Sequence, residues 1–166
     1  GTSRAESLLS RPGELIYIDS IYLNKSSSGN KYCIVFVDRL TSYITAIPVT
    51  NLKVENTIAA LRTYLSIMTF PRIVKTDLGP EYSMQFTQEL SRFGISHEGQ
   101  IPNTSNQQGS VEQAIKLLRA MLGKIVSLNQ YGGRDNWEIC LPICLKNINE
   151  SAAYQCPLSK TALTMG

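Results

Sequence analysis

Glu14-Leu15-Ile16-Tyr17-Ile18-Asp19-Ser20-Ile21-Tyr22-Leu23 is apolar on both faces of any strand it forms, with one acid, Asp19, in its middle. A strand of that kind needs cover on both sides. The run 31–38 contains Cys33-Ile34-Val35-Phe36-Val37 and has the same character. A third run, 43–49, follows a short turn at 39–42. Connections this short predict an antiparallel meander.

Helical periodicity takes over further on. In 53–68, Val54, Ile58, Leu61, Leu65 and Met68 recur at steps of four and three and make one stripe. After Pro71 the run 72–75 reads as a short buried strand with Asp77 just beyond it. A second helix is expected over 83–93, with Phe86, Leu90 and Phe93 inward and Gly94 as its stop. A short strand at 95–97 comes next. A long helix over 108–128 has Val111, Ile115, Leu118, Leu122 and Ile125 as its stripe. A last helix is expected to start at Asp135, where Asp135 and Glu138 form a capping-box-like pair. Its stripe is Trp137, Leu141, Cys144 and Ile148, and Pro142 should kink it. The tail 149–166 allows a short helix over 159–165. The order predicts an α/β fold, a mixed five-stranded sheet with helices on both faces.

Composition sets bounds. Of 166 residues, 43% are hydrophobic and 17% charged, which is globular. No apolar run has membrane-spanning length, and no secretory signal is evident. Residues 1–11 read as a linker, with Gly1-Thr2-Ser3 a possible cloning remnant, and 12–166 as the domain. A net charge of +3 permits a nucleic-acid partner without demanding one. Cys33, Cys140, Cys144 and Cys156, with His97 the single histidine, cannot build a two-His, two-Cys zinc module. They read as buried thiols in a reducing intracellular compartment.

The acids carry the chemistry. Asp19 in a buried strand is costly unless it is paired or binds a cation. Asp77 ends another strand, and Gly79-Pro80 turns the chain beside it. Glu112 lies near the start of the long helix, and Lys116 and Arg119 project within roughly 60° of it at 100° per residue. Three converging carboxylates can hold two divalent cations. Singly, each acid has an ordinary structural explanation as a cap, a turn former or a surface charge. Asp38 reads as a turn former and His97 as a strand-end residue rather than a base.

Lys75-Thr76-Asp77-Leu78-Gly79-Pro80-Glu81-Tyr82 resembles the second-aspartate motif of retroviral and retrotransposon integrases. Ile101-Pro102-Asn103-Thr104-Ser105-Asn106-Gln107-Gln108-Gly109-Ser110-Val111-Glu112 resembles their catalytic loop and third acid, and Asp19 matches the first aspartate. Asp77 and Glu112 stand 35 positions apart, one closer than the family's usual pair. The resemblance runs from near Pro12 to 160–166. It departs at Leu78 (usually Asn), Asn103 (often Tyr), Ser105 (often Pro) and Ile16 (often Trp), none of them an acid.

The resemblance implies an RNase H-like integrase core with Mg²⁺ or Mn²⁺, two ions per site. Asp19 would bridge both metals, Asp77 bind one and Glu112 the other. Gln108, Lys116 and Arg119 match positions that contact DNA ends, and the loop residues Asn103 and Asn106 are counted with them. It further implies 3′-end processing, strand transfer into double-stranded target DNA, a homodimer and action in the nucleus. A core lacking a zinc module and a basic C-terminal domain would be a fragment. Two rivals stand beside this reading. An RNase H-type nuclease should bring a fourth carboxylate to the other three. A domesticated dimerising or DNA-tethering module should have lost an acid, and none is lost.

Overall fold

The computed structural model describes the backbone of residues 11–100 and 105–153 and the side chains of 11–100 and 111–150. The chain runs β1 (Leu15–Tyr22), β2 (Tyr32–Asp38), β3 (Ile44–Val49), α1 (Val54–Ile67), β4 (Ile73–Thr76), α2 (Met84–Arg92), β5 (Ser96–Gly99), α3 (Ser105–Ser127) and α4 (Trp137–Ala153). Short 3-10 turns occupy Pro80–Tyr82 and Arg134–Asn136.

The strands form one sheet in the order β3-β2-β1-β4-β5. The β1–β2 and β2–β3 pairs are antiparallel, as the short connections predict. The β1–β4 and β4–β5 pairs are parallel. Strand β1 is therefore central and is the point where pairing switches sense.

Both faces are covered. Leu15, Tyr17, Ile21, Cys33, Val35 and Val37 pack against Val111, Leu118 and Leu122 of α3 and Trp137, Leu141 and Cys144 of α4. The alternate residues Ile16, Ile18, Ile34 and Phe36 pack against Ile58, Leu61 and Leu65 of α1 and Phe86 and Leu90 of α2. The Phe36 and Tyr64 rings stack at 4.3 Å between centroids on that second face. The helical stripes read from the sequence are thus the faces that pack on the sheet, with Val54, Phe93 and Ile125 only partly buried.

Helix α2 ends as Gly94 predicts. Gly94 has φ +72°, its N–H donates to the Ser91 carbonyl, and the Ile95 N–H donates to the Leu90 carbonyl. Those two bonds are the paired closure of a helix whose following residue is left-handed.

Three local expectations need correction. Helix α3 begins at Ser105, not Gln108. The polar run 105–108 has no proline to oppose helical hydrogen bonds spreading toward the N-terminus, so part of the expected loop is helix. The Asp135–Glu138 capping box does not form. Asp135 lies inside a 3-10 turn and accepts the Ser27 N–H (2.8 Å) through its main-chain carbonyl, while the Glu138 carboxylate accepts the Ser26 hydroxyl. Helix α4 runs through Pro142 to Ala153 and takes in 149–153, expected as tail. The possible helix at 159–165, Cys156 and the closing 160–166 motif lie outside the described residues.

Asn149, buried on α4, has a structural task. Its amide accepts the Ile44 N–H at 2.9 Å and donates to the Ile44 carbonyl at 3.0 Å. Ile44 is on edge strand β3, so one side chain satisfies two main-chain groups that no further strand pairs. Cys33, Cys140 and Cys144 are free and buried. Burial pushes the Cys33 thiol up to about 12 and the Cys144 thiol up to about 11, far from the thiolate that metal binding or redox chemistry needs. Among the described residues no helix is long and apolar enough to cross a membrane.

Candidate active site

Strand pairing brings two of the three acids together. The last parallel pair between β1 and β4 is Tyr17 with Lys75. The same register, continued by two residues, sets Asp77 level with Asp19. Asp19 alternates with Tyr17 and Ile21, which face α3 and α4, so its side chain points to that side of the sheet.

The environment of Asp19 resists a negative charge. Burial raises its pKa, and the carboxylates of Asp77 and Glu81 push the same way. The Ser20 N–H, donating to Asp19 Oδ1 at 2.8 Å, and the cation of Arg119 oppose them. This is the electrostatic condition a bound cation would relieve.

Asp77 is exposed and follows β4. Its Oδ1 accepts the Gly79 N–H at 2.8 Å, which folds the carboxylate back over the turn. At Gly79 what a side chain would meet is crowding rather than an unfavourable backbone angle, since its φ is −63°. A Cβ would overlap Glu81 Oε1 and come within 2.9 Å of Asp77 Oδ1. The turn is locked to β1 by Tyr82, whose hydroxyl lies 2.6 Å from Ser20 Oγ, one residue from Asp19. Burial lifts the Tyr82 phenol well above its ordinary range, so it serves as a neutral strut.

Glu81 is the residue that sequence reasoning passed over. It is buried in the Pro80–Tyr82 turn and within electrostatic reach of Asp19. It was quoted within the Asp77 motif, but only the tight Gly79-Pro80 turn, seen in three dimensions, shows that it doubles back toward the acids.

Glu112 is placed differently. It is exposed on α3 with Lys116 and Arg119, while Val111, Ala114, Ile115 and Leu118 on the opposite side are buried. The shared face predicted from helical spacing is present. Arg119 reaches the site, since its charge acts on Asp19 and its guanidinium donates to the Tyr22 carbonyl at 3.4 Å. Glu112 makes no comparable approach to Asp19. Among the described residues no group of three or more potential metal ligands is assembled. The described residues thus bring Asp77 and Glu81 into electrostatic reach of Asp19 and do not bring Glu112 to them. Asn106 and Gln108 lie in the first turn of α3, and their side chains are outside the described residues, as is Asn103 altogether.

Asp38 is as expected, but His97, expected to end a strand over 95–97, lies inside β5, which runs on to Gly99. Asp38 is a turn former, accepting the Gly13 N–H (2.9 Å), the Thr41 N–H (3.0 Å) and the Thr41 hydroxyl (2.5 Å). His97 is a structural bridge, with Nε2 2.6 Å from Thr76 Oγ1 and Nδ1 2.6 Å from Thr87 Oγ1. Leu78, at the family's usual Asn position, is 90% exposed at the lip of the site and carries no packing.

The Integrase core domain model matches residues 10–105, more than half of the chain. The chain belongs to the integrase core domain family. It is 26% identical over 140 residues to the Gag-Pol polyprotein of gibbon ape leukemia virus, covering 81% of the chain and 8% of the polyprotein. It is 34% identical over 102 residues to the Gag-Pro-Pol polyprotein of simian retrovirus SRV-1, covering 60% of the chain and 6% of the polyprotein. The chain thus spans under a tenth of these relatives.

In fold, this integrase core domain is similar to a chain of the simian T-cell lymphotropic virus intasome solved with the PP2A regulatory subunit B56 gamma. The TM-score is 0.75 at 24% identity, covering 92% of this chain and 54% of that one. It is similar to the catalytic core domain of BIV integrase (TM-score 0.70, 19% identity, 83% and 84% covered). It is also similar to the HTLV-2 integrase catalytic core solved with magnesium in a dimeric form (TM-score 0.67, 20% identity, 84% and 88% covered). The RNase H-like fold is that of these cores.

Proposed function

We propose that this chain is the catalytic core of an enzyme that processes element DNA ends and joins them to target DNA, with Asp19, Asp77 and Glu112 as its catalytic acids. The observation that carries the reading is the approach of Asp19, on β1, and Asp77, just past the end of the neighbouring parallel strand β4, in a setting that disfavours an uncompensated negative charge at Asp19. Asp19 and Asp77 would hold Mg²⁺ or Mn²⁺ together with Glu112. Held there, two such ions would supply the positive charge that lowers the pKa of an attacking water or 3′-hydroxyl and offsets charge on the leaving oxygen. Tyr82, Ser20 and Gly79 fix where the carboxylates of Asp19 and Asp77 sit. Lys116 and Arg119 supply cations beside Glu112 for phosphates of the DNA, with Asn103, Asn106 and Gln108 at the entry to the same helix. We place the active form in a homodimer, as in the dimeric HTLV-2 core, and in the nucleus, where chromosomal target DNA is found.

A second reading, RNase H-type hydrolysis, gains from Glu81. That residue supplies the fourth carboxylate near Asp19 and Asp77 that such a nuclease needs. Membership of the integrase core domain family favours joining over hydrolysis.

The test is a branched DNA that mimics the strand-transfer product, incubated with the chain and Mn²⁺ beside a Glu112→Gln control. Metal-dependent resealing, absent in the control, supports the DNA-joining reading. Cleavage of an RNA/DNA hybrid without resealing favours the hydrolase. A folded chain that binds no Mn²⁺ ends both.

A further inference from the structure

The β4–β5 ladder ends at Thr76, whose partner on β5 is Gly99. Asp77, the next residue, has left the ladder. The Thr76 hydroxyl reaches forward and donates to the Asp77 main-chain carbonyl at 2.9 Å. A hydroxyl carries one proton. With that proton spent, Thr76 Oγ1 has only lone pairs to offer His97 Nε2, which lies 2.6 Å away. Nε2 is then the donor. In a neutral ring the other nitrogen is bare. Nδ1, 2.6 Å from Thr87 Oγ1, accepts the Thr87 hydroxyl. The bonds run in one direction, from Thr87 on α2 through His97 and Thr76 to the carbonyl of Asp77.

The opposite direction competes with this one. Thr76 would donate to Nε2, Nδ1–H would donate to Thr87, and Thr87 would pass its proton to the Ser83 carbonyl. That last contact is 3.4 Å long. Hydroxyl donors ordinarily bond oxygen at about 2.5–3.0 Å. The Asp77 end, at 2.9 Å, is the better bond and sets the direction. Burial at the edge of the Phe86 ring favours the neutral imidazole that either direction needs.

His97 itself stays away from the acids. Its partner on β4 is Val74, which faces α1 and α2, whereas Asp19 points to the side of α3 and α4. It can act on the chemistry only through Thr76.

We propose that His97, with its proton on Nε2, is a positioning residue that aims the Thr76 hydroxyl at the Asp77 carbonyl and so ties the peptide of that acid to helix α2. The Gly79 N–H holds the Asp77 carboxylate. Asp77 is thereby held by main chain and side chain together. The inference rests on the DNA-joining reading of the Asp19 and Asp77 site, and it names what places one of the two acids.

The chain has a single histidine, so a ¹⁵N-labelled sample gives one imidazole to read. A long-range ¹H–¹⁵N spectrum at about pH 8, where an ordinary imidazole is neutral, should show the proton on Nε2 and a bare Nδ1. Thr87→Val should leave the proton on Nε2, because the direction is set at the Asp77 end. Resealing of branched DNA in Mn²⁺ reads the consequence. Thr76→Val keeps the shape and loses the hydroxyl, and should lower the rate about tenfold. Thr76→Ser keeps the hydroxyl and should restore most of that loss. Ile95→Val, which thins the packing just before β5, should lower thermal stability and leave the rate alone. A proton on Nδ1 overturns the relay and leaves the acid site untouched. So does a Thr76→Ser loss as large as that of Thr76→Val, or an Ile95→Val loss that matches it, since packing alone would then be at work. A parent chain that shows the Nε2 proton and reseals nothing overturns the DNA-joining reading, and the positioning role with it.

Discussion

Asp19 and Glu112 are both offered as catalytic acids, but the fold holds them by different means. Asp19 stands on the central strand, paired on both sides, with its carboxylate bonded to the Ser20 N–H and its neighbour Ser20 tied to Tyr82. Glu112 stands on a helix of which only the opposite side is anchored, through Val111, Ile115 and Leu118. Asp19 carries a burial cost before any cation arrives, whereas Glu112 is in water. On the proposed reading, the strand acids would form one half of the site and the helix would bring the other half to it.

Neutral substitutions should separate these roles, and theirs is the largest expected effect. Asp19→Asn and Glu112→Gln should each lower resealing of branched DNA by about a hundredfold or more, because each removes a charge the cations need. Their stabilities should part. Asp19→Asn should raise the denaturant midpoint, since it removes a carboxylate that burial and two neighbouring acids disfavour. Glu112→Gln should leave the midpoint unchanged. A midpoint that falls in Asp19→Asn would show Asp19 to be a structural acid, and the contrast would collapse.

The anchored side of α3 can be loosened without touching its exposed side. Leu118 is fully buried beneath the helix, so Leu118→Ala should cost about 3 kcal/mol in urea unfolding. Lys116→Ala, on the exposed side, should change stability by no more than about 0.5 kcal/mol. Equal effects would mean that α3 is not seated on the sheet as described. A smaller effect is expected at Gly79. Gly79→Ala keeps an accessible backbone angle but drives a methyl into Glu81 and toward Asp77, whose carboxylates can swing away. Resealing should fall about tenfold with thermal stability nearly unchanged. Full activity would mean that the placement of those two carboxylates does not matter.

The same contrast explains what could be read without coordinates. Stripes such as Ile58-Leu61-Leu65 and Val111-Ile115-Leu118 follow from helical period and burial, and both proved to be core. The sheet follows from short connections and two-sided apolar runs. Asp19 and Asp77 stand out because an acid in or just after a buried strand is out of place. Glu81 does not, because its importance arises from a turn that folds it back across Gly79, and no periodicity records that. Asn149 was read as tail, because a polar residue at a helix end gives no sign that edge-strand groups of Ile44 lie opposite. Glu138 was assigned to a local cap, yet its partner Ser26 lies far away in sequence. Local pattern predicts local partners, and these partners are distant.

The smallest effect concerns the wall behind the strand acids. His97 bridges Thr76, the residue before Asp77, to Thr87 on α2, and its ring meets the edge of Phe86 at 5.5 Å. Burial holds its pKa below the ordinary value of about 6.5. As pH falls, the unfolded chain takes up the proton first and the folded chain only at lower pH. Stability from His97 is therefore complete above about pH 6.5 and declines from there down through its lower folded value. The gap in urea midpoint between the parent chain and His97→Gln should thus be constant from pH 8 to about 7 and should narrow toward pH 5. A gap that widens on acidification would mean that the folded ring prefers its proton. Both threonine hydroxyls would then be acceptors, and the neighbour of Asp77 would be held by a cation rather than a neutral bridge.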